Sequence, residues 1–215
     1  MDFEKIIYTI AVWAIPVVFA ITVHEVAHGW VANKLGDSTA KMLGRLTLNP
    51  IKHIDPLGTI VVPLLMVITT GFAFGWAKPV PVNMQNLNNP RKDMAIVAAA
   101  GPLANVAMAL FWVFFLKLVS IVVTDLNIAR GLMAMAEAGI IINLVLFVFN
   151  LFPIPPLDGS KVLSGFVPRS VSLVMDKIEP YGFFIVVGLL YFGVLSKLMM
   201  PIISFFLGGI NSIFF

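Results

Sequence analysis

The 215-residue chain is 60% apolar and 12% charged, with a mean hydropathy of +0.99. So few charges cannot coat a water-facing surface, which excludes a soluble globular domain and points to a multi-pass membrane protein in a lipid bilayer. The net charge of +3 comes from basic residues scattered between apolar runs, which argues against nucleic acid as a partner, and the absence of cysteine excludes disulfide and thiolate sites.

Uncharged apolar runs occupy 6–23, 56–77, 94–116, 138–157, 180–196 and 198–215. A spanning helix needs about 20 such residues. The first run passes straight into His24-Glu25 with no small-residue cleavage site, so it is expected to remain as a helix rather than be removed as a signal peptide. Gly36-Asp37 and Asn88-Asn89-Pro90 punctuate the helices, and Pro153, Pro155 and Pro156 break the fourth run. Glu137 is expected to cap the start of that run. Residues 39–48 and 78–83 read as extended, the second because proline and valine alternate there. The chain has no internal repeat or composition break. The expected fold is therefore an all-α polytopic membrane protein, one domain over 1–215. It has five or six membrane helices, with a small re-entrant or extended β element between the first and second core helices.

His24-Glu25-Val26-Ala27-His28 is an H-E-x-x-H pattern. On a helix, His24 and His28 lie one turn apart on one face and can reach one zinc ion, with Glu25 beside it as a general base. Zinc lowers the pKa of a bound water to about 7. The motif continues an apolar run, where each ionisable group costs on the order of 3 kcal/mol, so three such residues need a common partner. Catalytic zinc takes a third protein ligand. Two residues qualify: Asp158, delivered into an apolar setting by the proline break, and His53, the one other histidine. Asp158 has the better context.

H-E-x-x-H followed far downstream by Asn150-Leu151-Phe152-Pro153-Ile154-Pro155-Pro156-Leu157-Asp158-Gly159 resembles the site-2 protease family of intramembrane zinc metalloproteases. The likeness extends over about 6–167 and is closest to a short bacterial branch without PDZ or CBS domains; helices over about 180–215 would be accessory. Gly44–Pro50, His53–Thr59 and Ala100–Asn105 also match. The resemblance implies one zinc per chain held by His24, His28 and Asp158, with Glu25 as general base and Asn150 stabilising the oxyanion. It implies hydrolysis of peptide bonds within or near transmembrane segments of membrane-anchored substrates, in the cell membrane of a bacterium. Ser160 stands where many members carry glycine.

A shared metal requires an even number of crossings between His28 and Asp158. That holds if 56–77 re-enters rather than spans. With the N-terminus outside and 56–77 re-entrant, the inside holds Lys34, Lys41, Arg45, Lys52, Lys78, Arg91, Lys92, Lys161, Arg169 and Lys177, against Lys5, Lys117, Arg130 and Lys197 outside. This positive-inside bias turns the site toward the cytoplasm. A spanning run would leave the two sides equal.

A substrate helix must unwind to expose its scissile carbonyl, and the freed backbone groups then need partners. Val80 and Val82 are expected to supply them as an added strand, with Asn83 giving a further hydrogen bond. Gly101 and Asn105 read as a small-residue packing face of the third helix. An ion-coupled transporter using the same buried polar cluster is the alternative reading.

Overall fold

The computed structural model describes residues 3–70 and 75–214. Helix α1 (Phe3–Lys34) carries the H-E-x-x-H motif in its last third. It stops at Gly36, whose φ of 111° is a left-handed geometry that favours glycine. A short helix α2 (Thr39–Met42) follows, then a 3-10 turn at Pro50–Lys52. A π-helical turn at Pro56–Val61 runs into α3 (Val62–Thr70). Past a second 3-10 turn (Met84–Asn86) come α4 (Pro90–Val122) and α5 (Leu126–Asn150). The chain ends with α6 (Asp158–Phe166), α7 (Arg169–Tyr191) and α8 (Val194–Phe214).

Local chemistry sets these boundaries. Pro90 opens α4 at a position where a missing N–H costs nothing, and Asp93 Oδ2 accepts the Asn89 N–H at 2.7 Å. Asp125 caps α5 by accepting from the Asn127 and Ile128 N–H groups at 2.9 and 3.1 Å. Between α4 and α5 lie only Val123, Thr124 and Asp125, so the two helices form an antiparallel hairpin. Helix α1 packs against both. The largest core cluster joins Trp112 and Val113 of α4, Ile140, Leu144 and Val148 of α5, and Leu195, Met199 and Ile203 of α8. Large apolar side chains such as Ile10, Phe19, Phe114 and Phe205 point outward, as lipid-facing residues would.

Among the described residues, four helices are long and apolar enough to cross a membrane: α1 (from Ile7), α4, α5 and α8. The expected span at 180–196 is divided: 180–191 lie in α7, whose first half carries Arg169, Asp176, Lys177 and Glu179, and 194–196 open α8. A sixth helix would need the run 56–77 to span; its residues 71–74 lie outside the described residues, and its two described ends meet. The Trp76 N–H donates to Gly58 O at 3.0 Å, and Thr59 Oγ1 donates to Trp76 O at 2.9 Å. A crossing would part those ends by about 30 Å.

Other expectations need correction. Residues 39–48 are not a strand: Thr39–Met42 is a helical turn, closed by Met42 N–H to Ser38 O and Leu43 N–H to Thr39 O. Residues 78–83 are extended, but no β-strand occurs among the described residues, because side chains and loop carbonyls rather than a second strand meet this backbone. Glu137 lies mid-helix rather than at a start, because the cap at Asp125 begins α5 well before the uncharged run.

Candidate metal centre

Two antiparallel crossings, α4 and α5, return the chain to the end of the bundle where α1 presents His24 and His28. Both imidazoles are buried, at 8% and 9% exposure. Their Nε2 atoms lie 3.0 Å apart, and Asp158 Oδ2 lies 3.1 Å from that of His24 and 3.3 Å from that of His28. Asp158 reaches them because Pro153, Pro155 and Pro156 end α5 and turn the chain into α6. Arg91 of α4 holds α6 in place, donating to Ser164 O at 2.8 Å and also to Val167 O.

The donor set fits a metal cation. His28 Nδ1 donates to the carbonyl of Val97 at 2.7 Å, which leaves its Nε2 as a lone pair. Asp158 Oδ2 is buried and receives no hydrogen bond. Lone pairs and a carboxylate turned on one another in an apolar interior repel unless a cation lies among them. The spacing also suits zinc: bonds of about 2.0–2.1 Å in a tetrahedral site put neighbouring ligand atoms about 3.3 Å apart. These three residues are the one group of metal-ligating side chains that converges in this way among the described residues.

Gly101 makes room for them. A Cβ there would lie 2.4 Å from His28 Nε2 and 2.6 Å from His24 Cε1, so α4 presents bare backbone to the imidazoles. The small-residue reading of Gly101 thus holds, with the two histidines rather than a neighbouring helix as what approaches. Asn105 does more than pack: its Oδ1 lies 2.7 Å from His24 Nδ1. Sequence reasoning missed this contact and passed over Asn143, which bonds Asn105. The available signal was an amide side chain inside each of two apolar runs, where unpaired polar groups are costly.

Glu25 lies outside the three-ligand group. Its Oε2 accepts the backbone N–H of Val80 at 2.7 Å, so the extended segment 78–83 borders the centre. Arg45 supports that segment from the other end, with Nη2 3.0 Å from Lys78 O. Val80 is buried, Val82 half-buried and Asn83 exposed. Asn83 Oδ1 caps the turn after it by accepting from Gln85 N–H at 3.0 Å. Asn150 is the last residue of α5, and its side-chain amide donates back to Leu146 O at 3.0 Å. His53 is not brought to the cluster; it is buried in the loop, with Nε2 2.8 Å from Thr47 O.

Comparisons with known proteins point to a family of proteases. Residues 117–193, which include Asp158, match the sequence profile of Peptidase family M50. A Bacillus subtilis protein named as zinc metalloprotease YwhC is 41% identical over 88% of this chain and 84% of its own length. A Mycolicibacterium smegmatis protein named as zinc metalloprotease Rip2 is 28% identical over 96% of this chain and 76% of its own. A Methanocaldococcus jannaschii protein named as zinc metalloprotease MJ0611 is 45% identical over 31% of each chain. None of these relatives is named as a transporter, and no solved structure matches significantly. With 41% identity to the Bacillus protein over most of both chains and a profile match beside it, the chain belongs to peptidase family M50, the site-2 proteases.

Proposed function

We propose that this protein is an intramembrane zinc metalloendopeptidase that hydrolyses peptide bonds within or near the transmembrane segments of membrane-anchored proteins. The observation that carries the reading is the convergence of His24, His28 and Asp158, with Glu25 beside them, inside a bundle of membrane-length helices. In this reading those three residues hold one zinc per chain. A bound zinc supplies a Lewis acid and an acidified water at neutral pH.

The chain's own residues do the rest. Glu25 takes a proton from the attacking water and returns it to the leaving amide nitrogen. Asn150 spends one amide hydrogen on Leu146 O; the other is left to donate to the developing oxyanion, a contact of the kind worth about 3 kcal/mol. Val80 and Val82 offer an edge to the unwound substrate, and the NH2 group of Asn83 adds a donor at its end. Run 56–77 re-enters the bilayer from the side of the active site. By the distribution of Lys and Arg, that side is the cytoplasmic face of a bacterial inner membrane.

Purified protein in detergent, incubated with a membrane-anchored substrate, tests the proposal. One equivalent of zinc and cleavage blocked by a zinc-chelating hydroxamate are expected. Cleavage that persists without divalent metal overturns it.

A further inference from the structure

The polar contacts behind His24 form a directional chain. Asn105 and Asn143 are both fully enclosed, at 0% exposure, and they join α1, α4 and α5 at the core of the bundle. Asn143 Nδ2 lies 2.8 Å from Gly139 O, Asn105 Nδ2 lies 3.0 Å from Asn143 Oδ1 and 3.2 Å from Ala20 O, and Asn105 Oδ1 lies 2.7 Å from His24 Nδ1.

A backbone carbonyl can only accept. Gly139 O therefore fixes which end of the Asn143 amide is NH2, and the oxygen must face Asn105. The Asn105 amide is fixed in turn, its NH2 shared between Asn143 Oδ1 and Ala20 O and its oxygen turned to His24. That oxygen requires a proton on His24 Nδ1, so Nε2 keeps its lone pair toward His28 and Asp158. With the Asn105 amide reversed, His24 would meet an NH2 group, hold its proton on Nε2 and lose its capacity as a ligand there; a reversed Asn143 would turn NH2 against NH2 and favour that reversal. His28 reaches the same state by a shorter route, through Val97 O.

We infer that Asn105 and Asn143 are positioning residues that set the His24 tautomer, with the polarity anchored at the carbonyls of Gly139 and Ala20. The inference rests on the reading of His24 as a zinc ligand, and goes beyond it by assigning work to two residues that touch neither metal nor substrate.

The test uses full-length protein in detergent, with zinc affinity measured by chelator competition and the His24 tautomer of the zinc-free protein by nitrogen-15 NMR. The wild type is expected to carry Nδ1–H. Asn105→Leu should weaken zinc binding about 10–100-fold. Asn143→Leu, which leaves the Ala20 contact intact, should weaken it less and introduce Nε2–H. Asn105→Asp, which still accepts from His24, should bind zinc more tightly than Asn105→Leu. An Nε2–H tautomer in the zinc-free wild type, or wild-type affinity in Asn143→Leu, overturns the inference. A wild type that binds no zinc fails the metal reading instead, and its tautomer still tests the amide chain.

Discussion

The backbone N–H of Val80 and the carboxylate of Glu25 are joined by a 2.7 Å hydrogen bond across 55 positions of sequence. This bond ties the proposed general base to the proposed substrate edge. Glu25→Gln keeps an oxygen to accept from Val80 but removes the basic group. Zinc content should stay near one per chain, while turnover of a membrane-anchored substrate falls about 10²–10⁴-fold. Metal analysis and cleavage rate on the same preparation check both halves.

Gly101 faces the two imidazoles so closely that one methyl group is diagnostic. In Gly101→Ala the new Cβ would overlap His28 Nε2 and His24 Cε1, and α4 backbone and α1 helix are both too rigid to yield cheaply. Zinc affinity should drop at least about 10-fold while helical content is retained. Chelator competition together with circular dichroism would reveal it; unchanged affinity would mean that the imidazoles do not sit against α4.

The features legible in the sequence are those written as local chemistry. His24 and His28 lie one turn apart on a single helix, and the break before Asp158 is spelled out in three prolines. The closeness of the two ends of 56–77, at Gly58 and Trp76, fits the charge pattern, because the basic residues on either side of the run are biased to one side only if it does not cross. Contacts between distant segments were not legible. Nothing near Asn105 marks it as the partner of His24, 81 positions away, and the pairing exists only once α4 lies against α1. The start of α5 was misplaced because Arg130 and Glu137 interrupt its first turns, so the uncharged run starts late while the cap at Asp125 sets the true beginning. Segment 78–83 has the composition of a strand, yet its neighbours are side chains and loop carbonyls, which no strand propensity encodes.

Asp37 gives a pH-dependent test outside the membrane helices. Its carboxylate accepts from Thr39 N–H at 3.0 Å, Thr39 Oγ1 at 2.5 Å, Asn83 N–H at 2.6 Å and Asn86 Nδ2 at 3.0 Å, tying the end of α1 to the far end of the extended segment. Burial pushes the carboxyl up, but the bonds from Thr39, Asn86 and Asn83 outweigh it and hold the pKa below the ordinary 3.8. A lowered pKa contributes stability above about pH 4 that is given up as pH falls through the folded value. Asp37→Asn should therefore lower the melting temperature at pH 7 by a few degrees and lessen the dependence on pH below about 4. Thermal melts of both proteins from pH 3 to pH 7 would decide; parallel curves would remove Asp37 from the account.

Proline placement makes the extended segment one-sided. Along a strand, alternate residues turn their N–H and C=O groups to opposite edges. Val80 and Val82 share the edge that meets Glu25, while the opposite edge has Pro79 and Pro81, which donate nothing. In the proposed reading a substrate strand pairs along the edge beside the metal centre, through the Val82 N–H and the carbonyls, since the Val80 N–H is held by Glu25. Val82→Pro removes a donor from that edge but leaves the Val80–Glu25 bond in place; Val80→Pro removes that bond, because the Val80 N–H is its donor. Each variant should keep its zinc, with cleavage reduced in Val82→Pro and lost more completely in Val80→Pro. Cleavage rates and zinc content of the pair measure this. Full activity in Val82→Pro would show that the substrate backbone does not pair along this edge.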